Sequence, residues 1–450
     1  MASLLEAYSK RLAISESVYR RQHNGEKMDN NRKLTVAKVL SNTNNFLNEA
    51  FDNSTGTQRS DMGLYKKFCL NLTTVALPNL IANDLVIVHP MSSMSGFITY
   101  INYTAGSKKG DMTNDPADIF NNPFQLGDVK SATYTSDRVV ETVQSFTSET
   151  TKVAWYPVIA GSIRALDADG NEVSDPEGTA WTAAPDGTIT AGSYISGKSA
   201  TDVAKIAYEY DNVIIPQNDL PILNAKMESI PLLAKARRIA VYYSQIAAFQ
   251  AKTDYGFDLG DQLAEKAVGQ LSYEIDTEVV QLLADTGDKN TTVDELARLT
   301  WSRTLPVGVS KQEHYAGFSE IAEIARQFIY DKTRRFAPNY MIIASDVLPV
   351  LTFIPGFSAA PAGQVNGPYF AGTLNALRVY VSPALTNGVF YVGCNGDDMM
   401  SSVAVYAPYM AIVPTQLLQY ADGGTSQGWS TLYDLKVLNA NLIVKGQVIA

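Results

Sequence analysis

One octapeptide has the residue types and spacing of a phosphate-binding loop. Residues 192–199, GSYISGKS, have glycine at the first and sixth positions and end in a Lys-Ser pair. In such a loop backbone amides surround phosphates, while Lys198 and Ser199 would contact phosphate and magnesium. That chemistry needs a buried parallel strand before the loop, yet residues 186–191 are short, polar and flanked by turn residues. We interpret the octapeptide as a chance match in a β-rich loop and keep a nucleotide-using enzyme as the less favoured alternative.

A second segment has the pattern of a nucleophile elbow. Residues 424–428, GTSQG, satisfy G-x-S-x-G, but α/β-hydrolases need a histidine after the serine in chain order. The last histidine is His314. The pentapeptide is therefore predicted to be a glycine-rich loop.

A third segment resembles a calcium-binding loop. In residues 167–172, DADGNE, glycine falls at the fourth position instead of the sixth, and no glutamate occupies the twelfth. The flanking residues favour strands, so this segment is predicted to be a hairpin turn.

The remaining candidate groups form no catalytic pattern. The three histidines, His23, His89 and His314, lack a spacing that would bring two ring nitrogens to one metal. A run of acids lies on a predicted long helix, where a solvated or intersubunit face is the default interpretation: Glu274, Asp276 and Glu278. The sequence predicts a protein that is not an enzyme and has no metal and no cofactor.

Composition narrows the class of protein further. The 450 residues are 46% hydrophobic and 18% charged, below the ~25% charge of an average globular domain, so partner subunits are expected to cover part of the surface. The net charge of −10 argues against a sequence-reading nucleic-acid binder and leaves only nonspecific DNA contact. The two cysteines, Cys69 and Cys394, predict reduced thiols. No segment has the pattern of a signal peptide or a membrane helix.

The elements that would position these groups follow from periodicity. Residues 3–51 predict two polar amphipathic helices that form an arm, and residues 64–76 another helix. Residues 97–103 alternate as a strand, and the loop at 106–111 extends it. Short strands with Asp-Gly turns between residues 133 and 212 predict a small β insert. Residues 232–243 look extended, 259–284 predict a helix of about 39 Å, 318–335 another helix, and 340–344 a buried strand.

Several stretches resemble the major capsid proteins of T-even-type tailed bacteriophages. They are residues 77–91, LPNLIANDLVIVHPM, followed by Gly96; KARR at 235–238; YGFD at 255–258; EIDTEVV at 274–280; and APNYMIIAS at 337–345. The pieces occur in family order. The β insert is matched less clearly.

The resemblance implies an α+β Hong Kong 97-type capsid fold with a long spine helix, an extended loop, an axial domain and an inserted small β domain. The predicted divisions are an arm (1–66), a first segment of the peripheral domain (67–94), extended loop and β insert (95–215), peripheral domain with the spine helix (216–336), axial domain (337–427) and final peripheral strands (428–450).

The resemblance also implies a function. We expect a self-assembling subunit of an icosahedral phage head that encloses double-stranded DNA, made in the host cytoplasm and residing in the virion. Its expected partners are copies of itself in hexameric capsomers, with pentamers left open, together with portal and scaffold proteins, and no membrane. LNEA at 47–50 resembles a maturation site cut between Glu49 and Ala50, which would add a maturation protease. Another virion protein, such as a tail or decoration component, is the alternative.

Overall fold

The chain is represented by a computed structural model, which describes residues 2–22, 27–52, 70–71, 73–74, 80–105, 137–143, 146, 150–168, 171–211, 213, 222–256, 259–333, 335–360, 367–396, 398–415, 418–421 and 423–449. Two compact units are present: Met1–Ile98 with Ser229–Ala450, and Thr99–Glu228. Most of the helix predicted at 64–76, the loop at 106–111, and Cys69 lie outside the described residues.

The helices of the first unit flank two sheets. They are α1 (Ala2–Ala7), α2 (Ser9–Gln22), α3 (Asn30–Asp52), α4 (Ala82–Leu85), α5 (Gln245–Asp254), α6 (Leu259–Asn290), α7 (Val293–Arg298), α8 (Lys311–Ala316), α9 (Phe318–Thr333) and α10 (Leu348–Leu351).

Strands are numbered along the whole chain. They are β1 (Ile87–Val88), β2 (Ser95–Ala105), β3 (Arg138–Thr142), β4 (Thr150–Lys152), β5 (Arg164–Leu166), β6 (Thr182–Ala183), β7 (Thr188–Thr190), β8 (Lys205–Glu209), β9 (Leu223–Leu233), β10 (Lys235–Ser244), β11 (Thr300–Ser302), β12 (Tyr340–Ala344), β13 (Phe357–Ala359), β14 (Tyr369–Leu374), β15 (Leu377–Ser382), β16 (Val389–Gly393), β17 (Ala404–Pro414), β18 (Leu418–Gln419), β19 (Gly424–Val437) and β20 (Ile443–Ile449).

Among the described residues, strands of the first unit form two larger sheets, while β2 pairs with β9 in a separate two-stranded sheet. One has the order β1-β17-β19-β10, with β18 also pairing with β19, and the other has the order β11-β20-β16-β12-β15-β14-β13. All five residues of β12 are buried, as predicted for 340–344, and β12 lies parallel to β15 and antiparallel to β16. Helix α9 contributes Phe318, Ala322, Ala325 and Ile329 to the same core, at the spacing of one helical face.

The long helix α6 confirms the predicted spine and extends beyond it. It has 32 residues, about 48 Å, and continues past the predicted end at 284 to Asn290. Gly287 lies in this extension, where an added Cβ would stand 2.7 Å from a ring carbon of Tyr391. The glycine allows α6 to approach β16 closely, so here it does not end the helix.

The loop prediction for residues 424–428 was wrong. These residues begin β19 and pair with β10 in the register Ser244↔Gly424 to Ala240↔Gly428. A Cβ on Gly424 would collide with the Tyr242 hydroxyl, so this glycine permits a close cross-strand approach. The pairing of two strands distant in sequence overrides the local tendency of glycine to mark a loop.

The second unit contains the predicted β insert. Its strands form the sheets β3-β8-β5 and β4-β7-β6 around a small aromatic core. The rings of Phe146 and Trp181 stack with centroids 5.3 Å apart, and the Tyr208 hydroxyl donates to Glu141 at 2.8 Å. The sequence did not single out β3, which pairs along its full length with β8.

Candidate assembly surfaces

The phosphate-loop match has neither the frame nor the free side chains of a nucleotide site. The preceding strand, β7, has three residues and pairs antiparallel, and a three-residue 3-10 helix follows at Ala200–Asp202. Lys198 Nζ lies 3.2 Å from an Asp167 carboxylate oxygen, and the Ser199 side chain forms a capping box with Asp202. Both groups that would serve phosphate and magnesium are thus engaged within the β insert.

The other motif residues have structural surroundings. His314 stacks on Trp301 with centroids 4.9 Å apart, and its Nε2 lies 2.9 Å from the Ser302 carbonyl oxygen. Leu166 and Glu172 form a bridge across the predicted hairpin, whose residues 169 and 170 lie outside the described residues, as does His23. Within the described part of the chain, no cluster of three or more His, Cys, Asp or Glu side chains could hold a metal.

One acid on the spine helix departs from its predicted environment. Asp276 was expected on a solvated or intersubunit face, but its residue is only 7% exposed. Its Oδ1 accepts a hydrogen bond from the Ala82 amide at 3.0 Å, and burial raises the pKa of Asp276 to about 7. Spacing along the helix did not distinguish this acid from its neighbours, because its burial comes from tertiary packing, including that of α4 against α6.

The neighbouring acids are partly or wholly solvated. Glu278 pairs with Arg237 at 2.5 Å and accepts a hydrogen bond from the Tyr433 hydroxyl, linking α6 to β10 and β19. Glu274 is exposed and accepts from the Gln270 amide at 2.9 Å. Glu274 therefore lies on a solvated face of the helix, as predicted.

The N-terminal arm is anchored on the first unit. Helices α1 to α3 share a small apolar cluster that includes Ala411 of β17. Arg32 pairs with Asp84 at 2.5 Å, and Asn42 donates to the Met91 and Tyr409 carbonyl oxygens at 2.7 and 3.0 Å. The predicted arm therefore packs on its own chain.

The predicted cleavage residues lie in the last turns of this arm. Glu49 and Ala50 belong to α3, while their side chains fall outside the described part. Leu47, the apolar residue of the same motif, is 2% exposed and clusters with Met410 and Val413 of β17. The backbone at the predicted site is thus helical, and its apolar residue is buried.

Large apolar side chains are exposed on α5, just beyond its end, and between β11 and α8. Ile246 and Phe249 on α5 are 74% and 71% exposed, and Tyr255 just beyond it is 76% exposed. Ala251 is the one described residue of α5 that is buried. Val307, between β11 and α8, is also fully exposed. Large contiguous apolar patches often mark interaction surfaces, and sequence reasoning missed the Ile246–Phe249 pair although its i, i+3 spacing was a usable signal.

A family model described as "Major capsid protein Gp23" matches residues 63–447, most of the chain. The chain belongs to the Gp23 major capsid protein family. This membership confirms the resemblance drawn from the sequence. Together with the mixed helices and sheets, it also confirms the α+β class and the Hong Kong 97-type capsid fold. The Gp23-family chain is accordingly a major capsid protein of a tailed phage and a component of the virion.

Named relatives agree with this assignment. This Gp23-family chain is 24% identical over 400 residues to the major capsid protein of Enterobacteria phage T4, covering 80% of this chain and 73% of that protein. It is 23% identical over 394 residues to that of Enterobacteria phage T6, covering 80% and 76%. Among solved structures, the capsid of Myoviridae phage XM1 aligns at 8% identity with a TM-score of 0.34, covering 54% of this chain and 81% of that chain.

The described helices were also compared with the requirements of a membrane span. None of them is both long enough and apolar enough to cross a bilayer.

Proposed function

We propose that this major capsid protein acts by geometry and burial alone, as a self-assembling, non-catalytic subunit that forms hexameric capsomers, with pentamers left open, in an icosahedral head around double-stranded DNA. The family match over residues 63–447 carries the proposal. The engaged Lys198 and Ser199 support the non-catalytic part. Contact with packaged DNA is proposed to be nonspecific, since the chain carries a net charge of −10.

We propose that each predicted division of the chain has its own place in the assembled shell. The arm (1–66) loses residues 1–49 to the proposed maturation cut, and the extended loop and β insert (95–215) reach a neighbour. The spine-helix region (67–94, 216–336 and 428–450) forms the periphery, and residues 337–427 lie around capsomer centres.

We further propose that the exposed face of α5 is one contact between copies of this chain. Replacing Ile246 and Phe249 together by serine removes exposed apolar area, so folding is expected to be unaffected while assembly weakens. Lys252→Ser, an exposed change on the same helix, is the matched control. Equal assembly of all three proteins would contradict the assignment of this face.

Other head proteins complete the proposed function. Portal and scaffold proteins guide closure of the shell, and a maturation protease cuts between Glu49 and Ala50. The LNEA sequence and its place near the end of α3 support that site. The alternative of a tail or decoration protein is not favoured by the family match.

Electron microscopy of the protein expressed alone and with its assembly proteins tests this proposal. Closed shells or hexameric sheets are expected, and a tail component would instead form rings or tubes. Persistent monomers under both conditions would contradict self-assembly. Intact mass of the assembled subunit tests the maturation site separately, because a chain beginning at Ala50 is expected after cleavage and the full-length mass argues against it.

A further inference from the structure

Helix α3 contacts one short segment of the first unit at two separate points. Near its start, the Arg32 guanidinium pairs with the Asp84 carboxylate at 2.5 Å and donates to the Asn83 carbonyl oxygen at 3.0 Å. Ten residues later, about 15 Å along the helix, the Asn42 amide donates to the Met91 carbonyl oxygen at 2.7 Å. One rigid element therefore holds both ends of residues 83–91.

The first of these contacts is largely removed from water. The side chains of Arg32 and Asp84 are 15% and 5% exposed. Arg32 is also held within the arm, because its guanidinium lies 4.7 Å from the centroid of the Tyr19 ring. Replacing Arg32 removes an ion-pair partner from the buried Asp84 carboxylate, which destabilises the local structure strongly.

The second contact joins the segment after β1 to strand β17. The same Asn42 nitrogen donates to the Tyr409 carbonyl oxygen of β17 at 3.0 Å. Asn42 thus ties the segment after β1 to the strand with which β1 pairs.

The segment between the two contacts contains only short regular elements, the end of α4 and strand β1, although its Leu85 and Val86 side chains are buried in the core. Strand β1 is two residues long and pairs with β17 only at Ile87↔Val405 and Val88↔Tyr406. Two more backbone bonds continue this edge, from the His89 and Met91 amides to the Tyr406 and Pro408 carbonyl oxygens. So short an edge strand, which leads directly into β2, depends on its surroundings for order.

We infer that α3 is a two-point brace that fixes residues 83–91, the segment leading into the extended strand β2, and that loss of the brace frees this segment. The brace is independent of any cleavage. The proposed cut after Glu49 would take away both Arg32 and Asn42, and with them the brace.

Hydrogen exchange measured by mass spectrometry on the full-length, unassembled chain tests the brace. Arg32→Gln is expected to accelerate exchange at residues 83–86 on the order of 100-fold, since it breaks a buried ion pair. Asn42→Ala is expected to accelerate exchange at residues 89–91 by about 10-fold, since it leaves two carbonyl groups without their partner. Arg20→Ala, which removes only an exposed pair with Glu16, is the matched control and should change neither segment.

A double variant separates the brace from a general failure to fold. Arg32→Met combined with Asp84→Leu replaces the ion pair by apolar contact, so exchange at 83–86 should return to within about 10-fold of the parent chain. Acceleration confined to residues 2–52, with 83–91 unchanged, would overturn the brace. If Arg32→Gln accelerates exchange throughout the chain, that variant has lost its global fold and Asn42→Ala becomes the test of the brace. Unchanged exchange at residues 89–91 in Asn42→Ala would then overturn the inference.

Discussion

The carboxyl group of Asp276 is expected to make the stability of the subunit depend on pH. Asp276 lies inside the first unit, 7% exposed, where its Oδ1 accepts from the Ala82 amide at 3.0 Å. Burial raises the pKa of Asp276 from an ordinary 3.8 to about 7 in the folded chain. The folded protein thus holds this proton over a pH range in which the unfolded chain has already released it.

The sign and size of the effect follow from linkage. Because the unfolded chain ionises first, the contribution of this group to the free energy of unfolding falls as pH rises from about 4 to about 7. With about 1.4 kcal/mol per pKa unit, the folded state loses about 2 kcal/mol by pH 5.5 and about 4 kcal/mol by pH 8. The difference between the two conditions is therefore about 2 kcal/mol.

Asp276→Asn isolates the contribution of this carboxyl group to the free energy of unfolding. The amide oxygen can still accept from Ala82, but the side chain no longer ionises. Relative to the parent chain, the variant is expected to gain about 2 kcal/mol more stability at pH 8 than at pH 5.5. Urea unfolding of the unassembled subunit, followed by tryptophan fluorescence at both pH values, measures the change.

The control is Glu274→Gln, a neutralising change at an exposed position of the same helix. Its effect on the free energy of unfolding should be nearly the same at both pH values. If Asp276→Asn also shifts stability equally at pH 5.5 and pH 8, burial does not retain the proton and the reasoning is refuted.

Three further changes test other regions of the structure. Leu47→Ala should accelerate cutting after Glu49 by endoproteinase Glu-C at least about 30-fold, because it removes the buried side chain that anchors the end of α3. An unchanged cutting rate would show that this turn of α3 opens freely. Gly446→Ala should lower the free energy of unfolding by about 1–3 kcal/mol in urea titrations, since the added methyl would stand 2.1 Å from the ring of Phe390; wild-type stability would mean that the ring can move aside. Lys198→Ala should leave both ATP turnover and melting temperature unchanged in enzymatic and thermal assays, whereas loss of a measurable ATPase rate would revive the phosphate-loop interpretation.

Elements with strong periodicity were predictable from the sequence. Helix α9, predicted over 318–335, and the buried strand β12 agree with prediction because the spacing of apolar residues along the chain indicates the type of element. The start of α6 at Leu259 was also predicted, but its end was not. The prediction stopped at 284, whereas the helix continues to Asn290 and places Gly287 against Tyr391, a contact that no local pattern contains.

The surroundings of the acidic residues on α6 were harder to predict from the sequence. Glu274, Asp276 and Glu278 have one type of side chain and regular spacing, yet one is exposed, one buried and one paired with Arg237. The partners that distinguish them come from α4 and β10, which are distant in sequence. The Arg32–Asp84 pair was invisible for the same reason, since 52 positions separate its two residues.

The sequence by itself predicted the long spine helix and the β insert from periodicity and spacing, which are local properties of the chain. It predicted the α+β class and the capsid family from its resemblance to the T-even-type major capsid proteins. Only the tertiary structure decided that residues 424–428 join a strand, that Asp276 is buried, and that α3 docks beside residues 83–91. The physical reason is that strand pairing and burial depend on which distant segments meet, and the energy of those contacts exceeds the local preferences that a sequence displays.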